Sequence, residues 1–202
     1  MNPPKVVLFT GTTGSGKSWA LGKALKFDRV RPQVILTRWP DPSLLRHISP
    51  KMRTVERWRG GYIRLPSKGR YMLLITPLPA KELRAFQRDL ATAFTYLPRG
   101  VLAIDEAHII LRRGTVHPEL VRLLRGARHY GTSVYLSTQR VTDIDPDIRS
   151  VVTDLFAFRT VSSVDLAWLE AEGVPPHTLS TLPTGEYIYL SKLSGRIIRG
   201  RA

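Results

Sequence analysis

Gly11-Thr12-Thr13-Gly14-Ser15-Gly16-Lys17-Ser18 is the stretch from which the rest of this 202-residue chain is read. Its pattern is a glycine, four free positions, then Gly-Lys-Ser. Glycines let successive backbone N–H groups curl around a phosphate, a lysine in this place reaches the terminal phosphate oxygens, and the hydroxyl after it can hold a divalent cation. The flanking residues supply the context the pattern needs. Lys5–Thr10 (KVVLFT) is a short apolar run that reads as a buried strand, and Lys17–Lys26 reads as a helix whose positive end points back at the same phosphates. Gly11 through Ser18, together with the adjoining Trp19, are therefore the candidate nucleotide contacts, with ATP as the expected nucleotide.

Beyond the loop, the next chemical signal is Val101-Leu102-Ala103-Ile104-Asp105-Glu106, an apolar strand that ends in two acids. In a phosphate-loop protein a strand-end aspartate holds Mg²⁺, so Asp105 joins Ser18 as a candidate metal ligand. Glu106 is then placed to take a proton from an attacking water. The alternative reading is that both acids cap the following helix. Ser133–Ser137 is a further strand, which continues into Thr138-Gln139-Arg140. If it lies beside the strand ending in Asp105, the Gln139 amide faces the terminal phosphate. Arg122, Arg125 and Arg128 are spaced three apart on a helix expected over Pro118–His129, which puts a cationic face near the site. Such a face either supplies a catalytic arginine to a neighbouring subunit or faces solvent or DNA. His47, His108, His117, His129 and His177 show no metal-ligand spacing.

The remaining elements alternate. Gln33–Thr37 and Tyr71–Thr76 read as strands, Lys81–Tyr96 and Val164–Glu172 as helices, Phe156–Phe158 as a further strand, and Glu186–Leu190 with Arg196–Arg199 as a hairpin. Alternating strands and helices predict a mostly parallel sheet flanked by helices, in one α/β phosphate-loop domain that ends in a β-hairpin. Residues 38–70 read as an irregular basic insertion within that domain. The chain has no cysteine, so disulfides and thiolate metal sites are excluded. No stretch approaches the roughly 20 apolar residues that span a bilayer, and Met1-Asn2-Pro3-Pro4 leads straight into a strand with no secretory signal. The formal charge of +15 comes from 31 basic against 16 acidic residues, and 23 of the basic residues are arginine. That balance points to a polyanionic partner, and arginine is the residue suited to bidentate phosphate contact.

Taken in order, the GTTGSGKS loop, the hydrophobic-Ile-Asp-Glu-Ala site, Arg122-x-x-Arg125-x-x-Arg128-His129-x-Gly131 and Ser137-Thr138-Gln139-Arg140 resemble the FtsK–HerA superfamily of ring-forming DNA pumps. The likeness continues through Asp145–Gly173 and covers most of residues 5–190, with 38–70 unmatched. It implies a RecA-like domain of the ASCE type and ATP hydrolysis with Mg²⁺. It also implies DNA as substrate and a homo-oligomeric ring of five or six subunits. Arg128 falls where FtsK-type motors carry an arginine that acts on the neighbouring subunit, with Arg125 the reserve. Val141 departs from the pattern, since FtsK motors usually have proline after Thr-Gln-Arg. The short chain is similar to the packaging ATPases of icosahedral viruses with an internal membrane, which implies a capsid or membrane-vertex partner and a place in the host cytoplasm or at the virion vertex. It is next most similar to Zot-type ATPases, which export single-stranded DNA. Those usually carry a membrane-spanning segment after the ATPase domain, and its absence before Ala202 favours packaging.

Two places are candidates for DNA contact. The loop Leu111–His117 follows the carboxylates directly and carries Arg112 and Arg113, while Gly114 gives it freedom. The basic 51–70 stretch competes, with Arg57 and Arg59 for phosphates and Trp58 and Tyr62 for stacking on single-stranded bases. The rival outside the ATPase class is a small-molecule kinase. Such kinases rarely join a strand-end Asp-Glu pair to a strand ending in Thr-Gln, and have no need of the charge. A nucleotide-gated DNA-binding protein without catalysis has no use for Glu106.

Overall fold

A computed structural model describes residues 4–30, 32–65, 68–97 and 99–202; Met1–Pro3, at the start of the N-terminal segment discussed above, lie outside them. The elements run β1 (Val6–Thr10), α1 (Lys17–Phe27), β2 (Gln33–Thr37), α2 (Pro42–Leu45), β3 (Lys51–Val55), β4 (Arg70–Ile75), α3 (Ala80–Thr95), β5 (Gly100–Ile104), α4 (Ala107–Ile110), α5 (Pro118–Arg125), β6 (Thr132–Thr138), a 3₁₀ turn (Val141–Asp143), α6 (Pro146–Arg149), β7 (Asp154–Phe158), α7 (Ser163–Ala171), α8 (Pro176–Thr181), β8 (Glu186–Ser191) and β9 (Arg196–Arg201).

The strands form one nine-stranded sheet in the order β3-β4-β2-β5-β6-β1-β7-β8-β9. The strands from β3 to β7 are mutually parallel, and β8 and β9 add an antiparallel hairpin at one edge. The expected mixed, mostly parallel α/β architecture with a terminal hairpin is therefore present. β1, β2, β5 and β6 are buried along their whole length, as the central strands of a sheet must be when helices cover both faces.

The two-residue period of each strand divides the core. Val7 and Phe9 of β1 face α1, where they join Leu21, Leu25, Ile35 and Tyr135. Val6 and Leu8 face the other side, in the same cluster as Phe86, Leu90 and Phe94 of α3 and Leu120 and Leu124 of α5. Full burial of a Leu or Phe side chain contributes about 1.5–3 kcal/mol, so these two clusters hold the strand ends rigid. β6 lies between β1 and β5 and pairs with both, with Thr10 opposite Thr138 and Ile104 opposite Leu136. All three strands therefore deliver their C-terminal loops to one edge of the sheet, where open parallel sheets bind their ligands.

The structure corrects the sequence reading in three places. Residues 38–70 are not wholly irregular, because they contain α2 and the edge strand β3, which pairs in parallel with β4. Only Val55 of β3 is buried, so Lys51–Thr54 offer no apolar run to recognise. The second correction concerns α5, which stops at Arg125 rather than His129. Gly126 ends it, and a Cβ there would lie 2.9 Å from the Tyr130 ring. Arg128 consequently sits in the turn before β6 and shares no helical face with Arg122 and Arg125. The third is an addition, α8, over a stretch to which the sequence reading assigned no element; at six residues it is too short for a periodic signal.

Candidate active site

The loop after β1 is shaped by its glycines and strapped from three sides. Gly11, Gly14 and Gly16 have φ of 150°, 72° and 108°, a backbone region costly for other residues. A Cβ on Gly11 would also lie 2.8 Å from Phe158 Cβ and 2.9 Å from the Arg159 carbonyl oxygen. Gly11 N donates to Thr138 O (3.3 Å), Thr12 N to Arg159 O (2.8 Å) and Gly185 N to Ser15 O (2.9 Å). These bonds hang the loop from β6, from the residue after β7 and from the turn before β8. α1 then starts at Lys17 with no side-chain cap and no acid in its first turn. Its first N–H groups thus keep their capacity for an anion.

Lys17 is only 6% exposed and its Nζ donates to Thr12 O at 2.8 Å. Burial lowers its pKa, against the raising effect of Glu106, Asp105 and Asp41. Among the described residues this ammonium has no ion pair, and a phosphate would supply the missing counter-charge. Ser18 and Trp19 line a hollow of about 320 Å³ with Gly14, Gly16, Lys17 and Asp41. Trp19 meets the His47 ring edge-on (4.7 Å between centres), and Lys23 Nζ lies 4.6 Å above the indole.

Asp105 and Glu106 follow β5 directly. Asp105 is 5% exposed, and burial pushes its carboxyl up to about 6, although a hydrogen bond from Ser137 opposes the shift. A buried carboxylate of this kind fits a divalent cation, which would restore the ionised form, and the Ser18 hydroxyl is the second candidate ligand. The raised pKa carries a stability consequence. Between pH 3.8 and about 6 the unfolded chain releases this proton while the folded chain retains it, so stability falls as pH rises through that window and stays reduced above it. In nucleotide- and metal-free protein, Asp105→Asn should be more stable than wild type above pH 6 by up to roughly 3 kcal/mol, at 1.36 kcal/mol per unit. The gap should close toward pH 4. Thermal melts of both proteins across that range measure it, and an asparagine variant less stable at pH 7 would contradict it.

Glu106 is the only non-glycine among the described residues with positive φ (51°, with ψ 48°). Strain of this type is tolerated where a side chain must be aimed. Its Oε1 accepts from Gln139 Nε2 at 2.8 Å, and Gln139 Oε1 accepts from the Thr13 hydroxyl at 2.8 Å. The phosphate loop, the end of β6 and the end of β5 are therefore joined by one chain of hydrogen bonds. Glu106 Oε2 makes no hydrogen bond, and His108 Nδ1 lies 3.4 Å from it. His108 Nδ1 also lies 3.1 Å from Thr138 Oγ1, so it braces the two strand ends. Spacing gave no sign of the Thr13–Gln139 link, the Ser137 bond or this role of His108.

The remaining candidates lie apart from this cluster. Arg125 pairs with Asp147 at 2.7 Å and Arg122 with Glu119 at 2.9 Å. Arg128 is exposed and has no acidic partner among the described residues. It precedes β6, whose seven residues at about 3.3 Å each put it about 20 Å from the phosphate loop of its own chain. Arg112 and Arg113 are exposed. Their loop is stitched to the segment after Gln139, with Arg112 bridging Ile144 and Arg113 N donating to Asp143 O (3.1 Å). Gln87, fully buried on α3, closes the loop's base by donating to Ile110 O (2.6 Å) and accepting from His117 N (2.7 Å). Arg57 and Arg59 are exposed, but Trp58 is unsuited to base stacking. Its Nε1 donates to Asp89 (2.9 Å) and its ring packs edge-on against Phe86 (5.5 Å). Tyr62 is 75% exposed.

A glycine cradle at the end of β1, an acidic pair at the end of β5 and a strand between them define the P-loop NTPase fold. No family model and no curated protein matches the chain. Solved structures do. The genome packaging NTPase of Sulfolobus turreted icosahedral virus 2, determined in complex with ATP-gammaS, has a TM-score of 0.70 and 20% identity over 100% of this chain and 98% of its own. VirB4 of Thermoanaerobacter pseudethanolicus has a TM-score of 0.68 and 11% identity over 96% of this chain and 88% of its own. The N-terminal domain of zonular occludens toxin from Neisseria meningitidis follows at 0.51 and 15%, over 100% and 94%. The expected resemblance to packaging ATPases and Zot proteins is thus met in the fold.

Proposed function

We propose that this protein is an ATPase that drives viral DNA into a capsid as a homo-oligomeric ring. The observation that carries the reading is the Thr13–Gln139–Glu106 chain of hydrogen bonds across β1, β6 and β5. Through it a group that senses phosphate is tied to a group that can activate water, and a simple phosphate-binding or kinase site needs no such connection. The likeness to a viral genome packaging NTPase along nearly the whole of both chains supports the substrate.

In this mechanism the glycine loop and Lys17 hold the phosphates of ATP. Mg²⁺, held by Ser18 and Asp105, would neutralise phosphate charge when bound. Glu106 accepts a proton from water as the water oxygen bonds to the γ-phosphorus, and the bond from that phosphorus to the β,γ-bridging oxygen breaks. ADP and phosphate leave, and Lys17 balances the charge that accumulates on the departing oxygen. Gln139 orients the water and moves as the γ-phosphate departs. The loop carrying Arg112 and Arg113 is fastened to the segment immediately after Gln139, so that movement reaches two cations that grip DNA backbone without reading sequence.

The salt dependence of DNA binding tests this assignment. Removing one phosphate-binding cation lowers the slope of log K against log salt by about 0.9 on duplex DNA. Arg112→Ala/Arg113→Ala should flatten the slope by about 1.8 and remove stimulation by DNA, while basal turnover persists. An unchanged slope with unchanged stimulation moves the DNA path to the 51–70 region. Export of single-stranded DNA is the second reading, favoured by exposed Tyr62 beside Arg57 and Arg59. It predicts stronger stimulation by single strands than by duplex. No helix among the described residues is long and apolar enough to cross a membrane. A capsid or membrane-vertex protein is the expected docking partner of the ring.

A further inference from the structure

Arg38 is a second cation at the carboxylate end of the sheet, on the same chain as the phosphate loop. It follows β2, which pairs with β5 so that Leu36 lies opposite Ile104. Asp105 N donates to Leu36 O at 2.8 Å, so the residues after Leu36 run beside the two acids. A hollow of about 170 Å³ is lined by Arg38, Asp105 and Glu106, with Ile75, Leu78 and Ile109 among its apolar walls. Thr37 builds the turn that places Arg38 there. Its hydroxyl donates to Trp39 O at 2.7 Å and accepts from Trp39 N at 3.3 Å.

Arg38 lines this hollow, yet its guanidinium makes no ion pair with either carboxylate, nor with any other acid among the described residues. It lies over the indole of Trp39, 4.6 Å from the ring centre, and that indole is 61% exposed. Pairing with Glu106 would occupy the proposed base. Resting on an aromatic face keeps the charge near the site through a contact that a phosphate can displace. The apolar walls lower the local dielectric, so a charge that develops there is felt more strongly than in water.

We propose that Arg38 is a catalytic residue that contacts the γ-phosphate of ATP held by its own chain, approaching from the Glu106 side. The proposal rests on the ATPase reading above. Lys17 serves the phosphates from the cradle, and Arg38 serves the transferring group from the opposite side as its charge redistributes. Arg128, about 20 Å from its own site, can act only on a neighbouring subunit. The two arginines therefore have separable roles, one within the chain and one between chains.

The test is Arg38→Ala in the assembled protein. Turnover should fall by about 10²–10³, with binding of a non-hydrolysable ATP analogue kept within about twofold and binding of ADP with aluminium fluoride abolished. Arg38→Lys should recover part of the turnover, and an unchanged melting temperature should show that the fold is intact. Mixing Arg38→Ala with Lys17→Ala subunits should recover no activity at any ratio, because each chain must carry both groups. Wild-type turnover and normal aluminium fluoride binding in Arg38→Ala would overturn the proposal, as would recovery in that mixture or an equal loss of analogue affinity and turnover. A wild-type protein that hydrolyses no ATP overturns the ATPase reading and this proposal together. One that does, beside an unaffected Arg38→Ala, overturns only the latter.

Discussion

Glu106→Gln is expected to bind ATP as wild type does and to hydrolyse it about 10²–10⁴ times more slowly, the usual cost of losing a general base. The substitution is well suited to the question because it disturbs little else. The glutamine carbonyl oxygen still accepts from Gln139 Nε2, so the bond that now measures 2.8 Å survives. The new amide group faces His108 Nδ1, 3.4 Å from the present Oε2, and can donate to it. Residue 106 keeps its left-handed backbone, since glutamine is neither better nor worse than glutamate at φ 51°. Loss of turnover with retained nucleotide binding therefore reports proton transfer and not collapse of the site. Near-normal turnover would reduce Glu106 to a residue that only starts α4. Rapid-quench hydrolysis alongside equilibrium binding of a fluorescent ATP analogue separates the two outcomes.

Arg128→Ala is expected to lower turnover by about 10³–10⁵, the range for a catalytic arginine supplied by a neighbour, and to leave the isolated chain's nucleotide affinity unchanged. The geometry makes the claim strict. Arg128 lies in the turn before β6 and the phosphate loop at the far end of its partner strand β1. In the proposed head-to-tail ring, each arginine would therefore meet its target only in the next subunit. A mixture of Arg128→Ala and Lys17→Ala chains should regain activity, because an intact cradle on one chain meets an intact arginine on the other. Arg125 and Arg122 are already engaged with Asp147 and Glu119, which leaves Arg128 the most available of the three. If no ratio recovers activity while rings assemble, the assignment between subunits fails and Arg125 is tested next in the same mixture.

Most of the central fold was legible in the sequence because burial there is uniform. β1, β2 and β5 are mainly apolar runs and β6 has Val134-Tyr135-Leu136 at its centre, and the ends of β1, β5 and β6 meet residues whose chemistry is distinctive: glycines, Asp-Glu, Thr-Gln. The edge was not legible. β3 has four exposed residues of five, and its crossover to β4 includes Trp58, which reads like a nucleic-acid contact until its bond to Asp89 is seen. Helix phase failed at Arg128 because one glycine, Gly126, ends α5 in favour of the Tyr130 ring. Contacts between distant loops were silent as well. Thr13, Gln139 and Glu106 were each singled out, yet the bonds that join them span 126 and 33 positions of chain, and no spacing rule reports a contact of that kind. Arg38 looked like one cation in a basic stretch, and only the β2–β5 register and the shared hollow set it apart.

ATP turnover by the assembled wild-type protein bears most directly on the proposed motor function. It is measured alone, with duplex DNA and with single-stranded DNA, with Lys17→Ala as the reference for zero. The expected result is Mg²⁺-dependent hydrolysis that duplex DNA stimulates, and none in the lysine variant even though its melting curve is normal. Hydrolysis indifferent to either form of DNA, or equal turnover in Lys17→Ala, would contradict that function.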